Sequence, residues 1–446
     1  MKMPAYLPRR GKAAAEVLGY HRRLKGTQPY AHMGRGLGDR LYHVRKPRLS
    51  RQVYAVGRDL YPRQHDLSVA LSVELRRLRG GILKRQAAQA ALRAMTEVYG
   101  NPSSTHTKGR EAKQLLDASR KLVASAMGCA PSELIFTSCG SESDNWALLS
   151  GAEAMRRRGN HIITSAVEHD AIRKSAEELE RRGYDVTYLK PDSTGSIPVD
   201  AVKNALRPDT ILVSLMLVNN ETGAINDISS VSKLLKSSGS PALLHTDAVQ
   251  AFMKIPFTPK SLGADMISVS GHKIHAPKGI GALYVRSGLR LKPYIMGGSQ
   301  EDGRRAGTEA MPQIAAFGEA CRIAKENLAE NAAKMAALRQ LTIDTLAPAI
   351  PELQVINGAA PHILSISLPG WRSEVLMNFL EARGVYVSRS SACKKGARSH
   401  VLEAIGLDSR VIDGAIRIGL CRYNTEEDIR ALCDGLIEAH STLAHR

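Results

Sequence analysis

The feature that most constrains this chain is a repeated alternation of short apolar runs with helical segments. The runs are "LIFTS" (134–138), "HIITSAV" (161–167), "DVTYLK" (185–190), "TILVSLML" (210–217), "PALLHTDA" (241–248), "MISVS" (266–270) and "GALYVR" (281–286). Between the early ones lie amphipathic stretches, "SESDNWALLSGAEAMRRRG" (141–159) and "HDAIRKSAEELERRG" (169–183). Several of the runs are too apolar to leave one face in water, the mark of a mostly parallel sheet buried under helices on both sides. The fold class predicted is therefore α/β. A long helical stretch, about 310–345, precedes "HILSISLPG", "SEVLMNFLEARG", "GVYVSRS", "AIRIGL" and "TEEDIRALCDGLIEAHSTL", which predict a smaller α+β domain. The organisation expected is a large domain over 89–325 and a small C-terminal domain over 326–446.

Residues 1–88 do not share this order. The first 80 residues carry 18 Lys and Arg against 5 Asp and Glu, which leaves 44 against 38 for the other 366. The overall charge of +19 is thus concentrated in a segment without helical or alternating period. It reads as a basic extension, disordered or out of frame, and the body itself is not expected to bind nucleic acid directly. No apolar run approaches the roughly 18 residues that span a bilayer. The N-terminus lacks a secretory pattern, so a cytoplasmic protein without membrane association is expected. The six cysteines, 129, 139, 321, 393, 421 and 433, form no C-x-x-C pair, and no metal site is expected.

Ligands of such sheets bind beyond the carboxyl ends of the strands. Asp247 follows the run "PALLH" and Lys273 follows "MISVS", so two strands deliver a carboxylate and an amine to one rim. A loop charge is the bland account of either residue alone.

Many motifs in order then resemble the cysteine desulfurases, fold-type-I enzymes of the class-V aminotransferase family that depend on pyridoxal 5'-phosphate. They are "YGNPSSTH", "FTSCGSESDN", "AVEHDAI", "VNNETG", "HTDAVQ", "SGHKIHAPKGIGALYVR", "GGSQEDGRRAGTE", "SSACKKGARSHVLEAIG" and "IRIGLCRYNTEED". The resemblance runs from about residue 89 to the C-terminus and implies a seven-stranded type of main sheet and a homodimer.

It also implies roles. Lys273 joins the cofactor aldehyde covalently, a task for a nucleophilic amine. Asp247 faces the ring nitrogen, Gln250 the ring hydroxyl, His169 stacks on the ring, and Asn220 lies beside it. Gly140 and Ser141, at a strand-to-helix turn, bind the phosphate with Ser270 and His272. Thr308 reaches the phosphate of the neighbouring subunit. A plain N-cap at Ser141, and an ordinary core or capping role for His169 or Asn220, are the bland alternatives. Arg417 holds the substrate carboxylate in a bidentate fork.

Cys393 matches the persulfide cysteine. Arg389, Lys394, Lys395 and Arg398 in and beside its loop should favour the thiolate. Its loop looks slightly shorter than the family's usual one. Cys129, Cys321, Cys421 and Cys433 read as small buried apolar residues, and Cys139 as a small residue tolerated where the family has glycine.

The activity implied is conversion of L-cysteine to L-alanine, with sulfur passed through Cys393 to acceptor proteins of iron–sulfur cluster assembly or tRNA thiolation. One family motif is absent: a strand and turn of the type Tyr-Leu-Asp-Asn-Ala-Ala-Thr-Thr, where this chain reads "SVALSVELRRLRGGILKRQ". Selenocysteine lyase, an ordinary aminotransferase and a catalytically impaired homologue therefore stay open alternatives.

Overall fold

The computed structural model describes residues 85–356, 358–389 and 398–443. Most of the basic N-terminal segment, the expected core strand within it and Cys393 lie outside the described residues. The first described element is helix α1 (Arg85–Thr96), followed by α2 (Thr107–Met127). His106 caps α2, its Nδ1 accepting from the Gly109 N–H at 3.3 Å, and Gly128 ends it at φ 77°, a left-handed conformation that glycine adopts without steric cost.

Seven strands build the main sheet: β1 (Leu134–Thr137), β2 (His161–Ser165), β3 (Asp185–Leu189), β4 (Thr210–Ser214), β5 (Leu243–Asp247), β6 (Met266–Ser270) and β7 (Gly281–Val285). Their order is β1-β7-β6-β5-β4-β2-β3. Strands β6, β5, β4, β2 and β3 are parallel, whereas β7 is antiparallel to both its neighbours. Because β7 reverses twice over, β1 points the same way as β6, and six strands end on one rim.

The predicted apolar runs coincide with these strands, and β1, β2, β4, β5, β6 and β7 are buried along their whole length. Separate apolar clusters cover the two faces. Val213, Leu244, Ile267 and Phe317 belong to one, and Ile162, Leu212, Trp146 and Met266 to the other. The alternation of neighbours such as Leu212 and Val213 between faces is the strand's period of two. Helices α3 (Gly140–Met155) and α4 (Asp170–Arg181) follow β1 and β2.

The helical stretch expected over about 310–345 is two helices, α5 (Met311–Glu326) and α6 (Leu328–Ala349). Asn327 between them, at φ −119° and ψ 21°, interrupts the helix, and its side chain donates back to the Ile323 carbonyl at 3.0 Å. A periodicity that continues through one non-helical residue hides such a break.

The smaller sheet is antiparallel, with order β10-β11-β9-β8. Its strands are β8 (Gln354–Ile356), β9 (Ile363–Ser367), β10 (Ser388–Arg389) and β11 (Ala415–Gly419). Helices α7 (Ser373–Glu381) and α8 (Glu426–Thr442) accompany it, and their buried Leu376, Leu380, Leu432 and Leu436 share a core with Ile366 and Ile416.

Candidate active site

A cavity of about 460 Å³ opens at the common rim of the six strands. Ten of the twelve predicted site residues line it: Gly140, Ser141, His169, Asn220, Asp247, Gln250, Ser270, His272, Lys273 and Arg417. The topology explains the convergence. Strands β1, β2, β4, β5 and β6 each end at the rim, and the first residues past each end supply the groups.

At the end of β1 the chain turns through Cys139, in extended conformation, into α3. The helix cap is therefore Cys139, and Ser141 is already the second helical residue, which corrects the simple capping account of Ser141. The thiol makes no capping hydrogen bond. The first N–H groups of a helix have no partner inside it, so α3 presents donors and the positive end of its dipole to the cavity. A side chain at Gly140 would not fit, since its Cβ would lie 2.6 Å from Val249 Cγ2. Across from this turn, Ser270 Oγ and His272 Nδ1 are 2.8 Å apart. Burial, with help from Lys273, pushes the His272 imidazole down to about 4, so it is neutral near pH 7.

His169 caps α4, its Nδ1 accepting from the Ala171 N–H at 3.1 Å. That bond fixes the tautomer: Nδ1 is the acceptor, and the proton of the neutral ring sits on Nε2. The capping role and the place in the cavity thus belong to the same residue.

Asp247 is 5% exposed, and its Oδ1 accepts from the Val249 N–H at 2.8 Å. It has a buried neighbour that the sequence reading did not single out. Asp144, on α3, is 1% exposed, and burial together with the charge of Asp247 drives its carboxyl far above the ordinary range. Asp247 is raised less, and His169 and Lys273 work against the rise. Asp144 therefore keeps its proton, and the negative charge of the pair rests on Asp247. Behind them His245 is fully buried between Ser214 Oγ (2.8 Å) and Ser268 Oγ (3.0 Å), and burial holds it neutral, at about 3.

Glu168 was also missed. It is fully buried, and its Oε1 accepts from Ser165 Oγ (2.7 Å) and the Met216 N–H (3.0 Å). Its Oε2 has no hydrogen-bond partner among the described residues, and burial pushes the carboxyl up to about 8. Its signal was present in "AVEHDAI", a carboxylate two residues past an apolar run and next to the histidine.

Arg417 comes from β11 of the smaller sheet, and its Nη1 donates to the Asn220 carbonyl on the main rim. The two sheets are joined again where Ser399 Oγ donates to Glu221 Oε2. Thr308 is exposed and does not line this cavity. Its loop is anchored by two bidentate ion pairs, Arg120 with Glu301 (2.8 and 2.6 Å) and Arg305 with Glu142 (2.9 and 3.1 Å).

Of the four cations expected to favour a Cys393 thiolate, the two described ones are already paired. Arg389 is 2.7 Å from Glu374, and Arg398 holds Asp413 at 2.9 and 3.0 Å. Cys321 and Cys433 are buried as expected, but Cys129 and Cys421 are only half-buried.

A family model for class-V aminotransferases matches residues 83–432. The chain belongs to that family, in its cysteine desulfurase branch. It is 41% identical to a cysteine desulfurase of a Nostoc species over 363 residues, 80% of this chain and 89% of the relative. A solved NifS-like protein superposes with a TM-score of 0.77 at 38% identity, covering 81% of this chain and 97% of that one. A structure described as SspA in complex with cysteine superposes at 0.67 and 30% identity, covering 77% and 97%.

Class-V aminotransferases use pyridoxal phosphate, and the residues here fit that group. The Gly140 turn leaves no room for a Cβ, the α3 N-terminus offers anion donors, and Asp247 is a charged carboxylate kept dry at the cavity wall.

Proposed function

We propose that this protein is a cysteine desulfurase that converts L-cysteine to L-alanine and carries the sulfur as a persulfide on Cys393. The observation that carries the reading is the convergence of Lys273, Asp247, His169 and Arg417 on one cavity. Pyridoxal phosphate, when bound, supplies an electron sink for the bonds at the substrate's Cα and Cβ.

The α3 N-terminus with Ser141, Ser270 and His272 would hold its phosphate, and Thr308 of a second copy would complete that site in a homodimer. Asp247, kept charged by its protonated neighbour Asp144, would face the ring nitrogen, Gln250 the ring hydroxyl and His169 the ring face. Lys273 would anchor the group and, once displaced by substrate, take the Cα proton. Arg417 holds the substrate carboxylate, with Asn220 orienting it.

The Cys393 thiolate then attacks the substrate sulfur. One C–S bond breaks, one S–S bond forms, and the Cβ of the departing alanine gains the proton that the thiol lost. The sulfur passes on to an acceptor in iron–sulfur cluster assembly or tRNA thiolation. Among the described residues no helix is long and apolar enough to cross a membrane, and we assign the reaction to the cytoplasm. The test is borohydride reduction of the yellow holoenzyme followed by peptide mapping. The cofactor should be fixed on Lys273, and fixation elsewhere would overturn the assignment.

A further inference from the structure

Next to the active site lies a second cavity, of about 410 Å³. The two share Asn220, Gln250, His272, Lys273 and Arg417. What distinguishes the second is the turn after β5 and the start of β9. The turn contributes Lys254, 8% exposed, whose ammonium has no carboxylate or hydrogen-bond acceptor among the described residues. The residue before β9 is His362, 4% exposed, and neither of its ring nitrogens makes a hydrogen bond among the described residues.

The charges of the lining are one-sided. Lys254, Lys273, Lys278 and Arg417 face a single carboxylate, Asp428. That carboxylate is already engaged, accepting from the Thr425 N–H at 3.1 Å and from Asn424 Nδ2 at 3.2 Å. A buried ammonium without a counter-ion is expensive, and proteins answer the cost with a partner or with neutralisation. Burial pushes Lys254 down to about 8, which still leaves it largely charged near pH 7. His362 is held neutral by burial and by the nearby cations Lys254 and Lys273, and a neutral imidazole donates one N–H.

We propose that this cavity is a second anion site, for a small carboxylate, with Lys254 as its counter-ion and His362 as a neutral hydrogen-bond donor. The two groups match the two oxygens of a carboxylate. The chemistry is shared by two sources, a separate small acid or the carboxylate of the amino acid handled next door. The site stands on the cavity and its charges alone, so it does not depend on the desulfurase reading.

Acetate is the probe, used on the purified full-length protein with its cofactor. Isocyanic acid, small and neutral, carbamylates accessible amines, and the rate at each lysine is read by peptide mass spectrometry. At ten times its dissociation constant acetate should slow carbamylation of Lys254 about tenfold by mass action, and leave the exposed Lys260 unchanged. Chloride at the same ionic strength should not protect. Broadening of the ¹³C-acetate resonance should be lost in Lys254→Met and kept in Lys254→Arg. Equal carbamylation of Lys254 with and without acetate would overturn the site, and that arm needs no variant. So would wild-type broadening in Lys254→Met. If saturating L-alanine alone protects Lys254, the carboxylate is the amino acid's own. If acetate still protects in its presence, the anion is a separate molecule. Desulfurase turnover, measured in parallel, fails or succeeds independently of either result.

Discussion

Arg417, on the smaller antiparallel sheet, donates from Nη1 to the backbone carbonyl of Asn220 on the rim of the main sheet. The bond fixes the guanidinium at the mouth of a cavity that neither sheet builds alone. Arg417→Ala should raise the KM for cysteine, with kcat/KM falling roughly tenfold to a hundredfold, the usual loss of a charge-assisted pair. Arg417→Lys should recover only part, because an ammonium lacks the planar fork. Steady-state alanine release checks both. An unchanged KM in Arg417→Ala would place the substrate carboxylate elsewhere.

Asp144 and Asp247 should respond differently to the same substitution. Asp247→Asn removes the charge expected to face the cofactor nitrogen, so the visible absorbance band should weaken and cofactor should leak on dialysis. Asp144→Asn replaces an already protonated acid by a neutral amide of the same shape and should keep the band. Loss of the band in Asp144→Asn, with cofactor retained in Asp247→Asn, would invert the assignment of the charge.

Glu168 sets a pH dependence of stability. Its folded value, about 8, lies above the ordinary 4.5, so between those values the folded state binds more protons than the unfolded state. Its contribution is fully present below about 4.5 and is lost as pH rises through about 8. Glu221, pushed up to about 7 by burial, acts in the same direction. Glu168→Gln, a neutral mimic, should leave Tm at pH 5 nearly unchanged and raise it at pH 8.5, by an amount equivalent to a few kcal/mol at most. A Glu168→Gln protein less stable than wild type at pH 8.5 would contradict this.

Thiol reactivity should separate the cysteines. Burial pushes Cys433 up to about 11 and Cys129 up to about 12, and Cys321 is raised further still. Thiols that stay protonated alkylate slowly. Iodoacetamide at pH 7.5 should label Cys393 first and Cys321 only after denaturation. Early labelling of Cys321 would contradict its burial.

Much of this arrangement was legible in the sequence for a physical reason. Fully buried strands must be apolar along their length, so "MISVS" and "PALLH" announced themselves, and strand ends are where polar groups collect. The reversal of β7 was not legible, since "GALYVR" is equally apolar in either direction. The break at Asn327 was hidden by a period that resumes in phase. Asp144 and Glu168 were passed over because a carboxylate in a helical or turn segment normally faces water. Only the packing of α3 and β2 against the rim shows that these two do not. Lys254 was invisible for the same reason.

The most direct measurement is paired quantification of alanine and sulfide released from L-cysteine, in the presence of a thiol reductant, by the wild-type protein and by Cys393→Ser. The account predicts equal amounts of alanine and sulfide from the wild type. Cys393→Ser should retain the cofactor band and its shift on adding cysteine, with sulfide release lost. Undiminished sulfide release from Cys393→Ser, or no alanine from cofactor-loaded wild type, would contradict it.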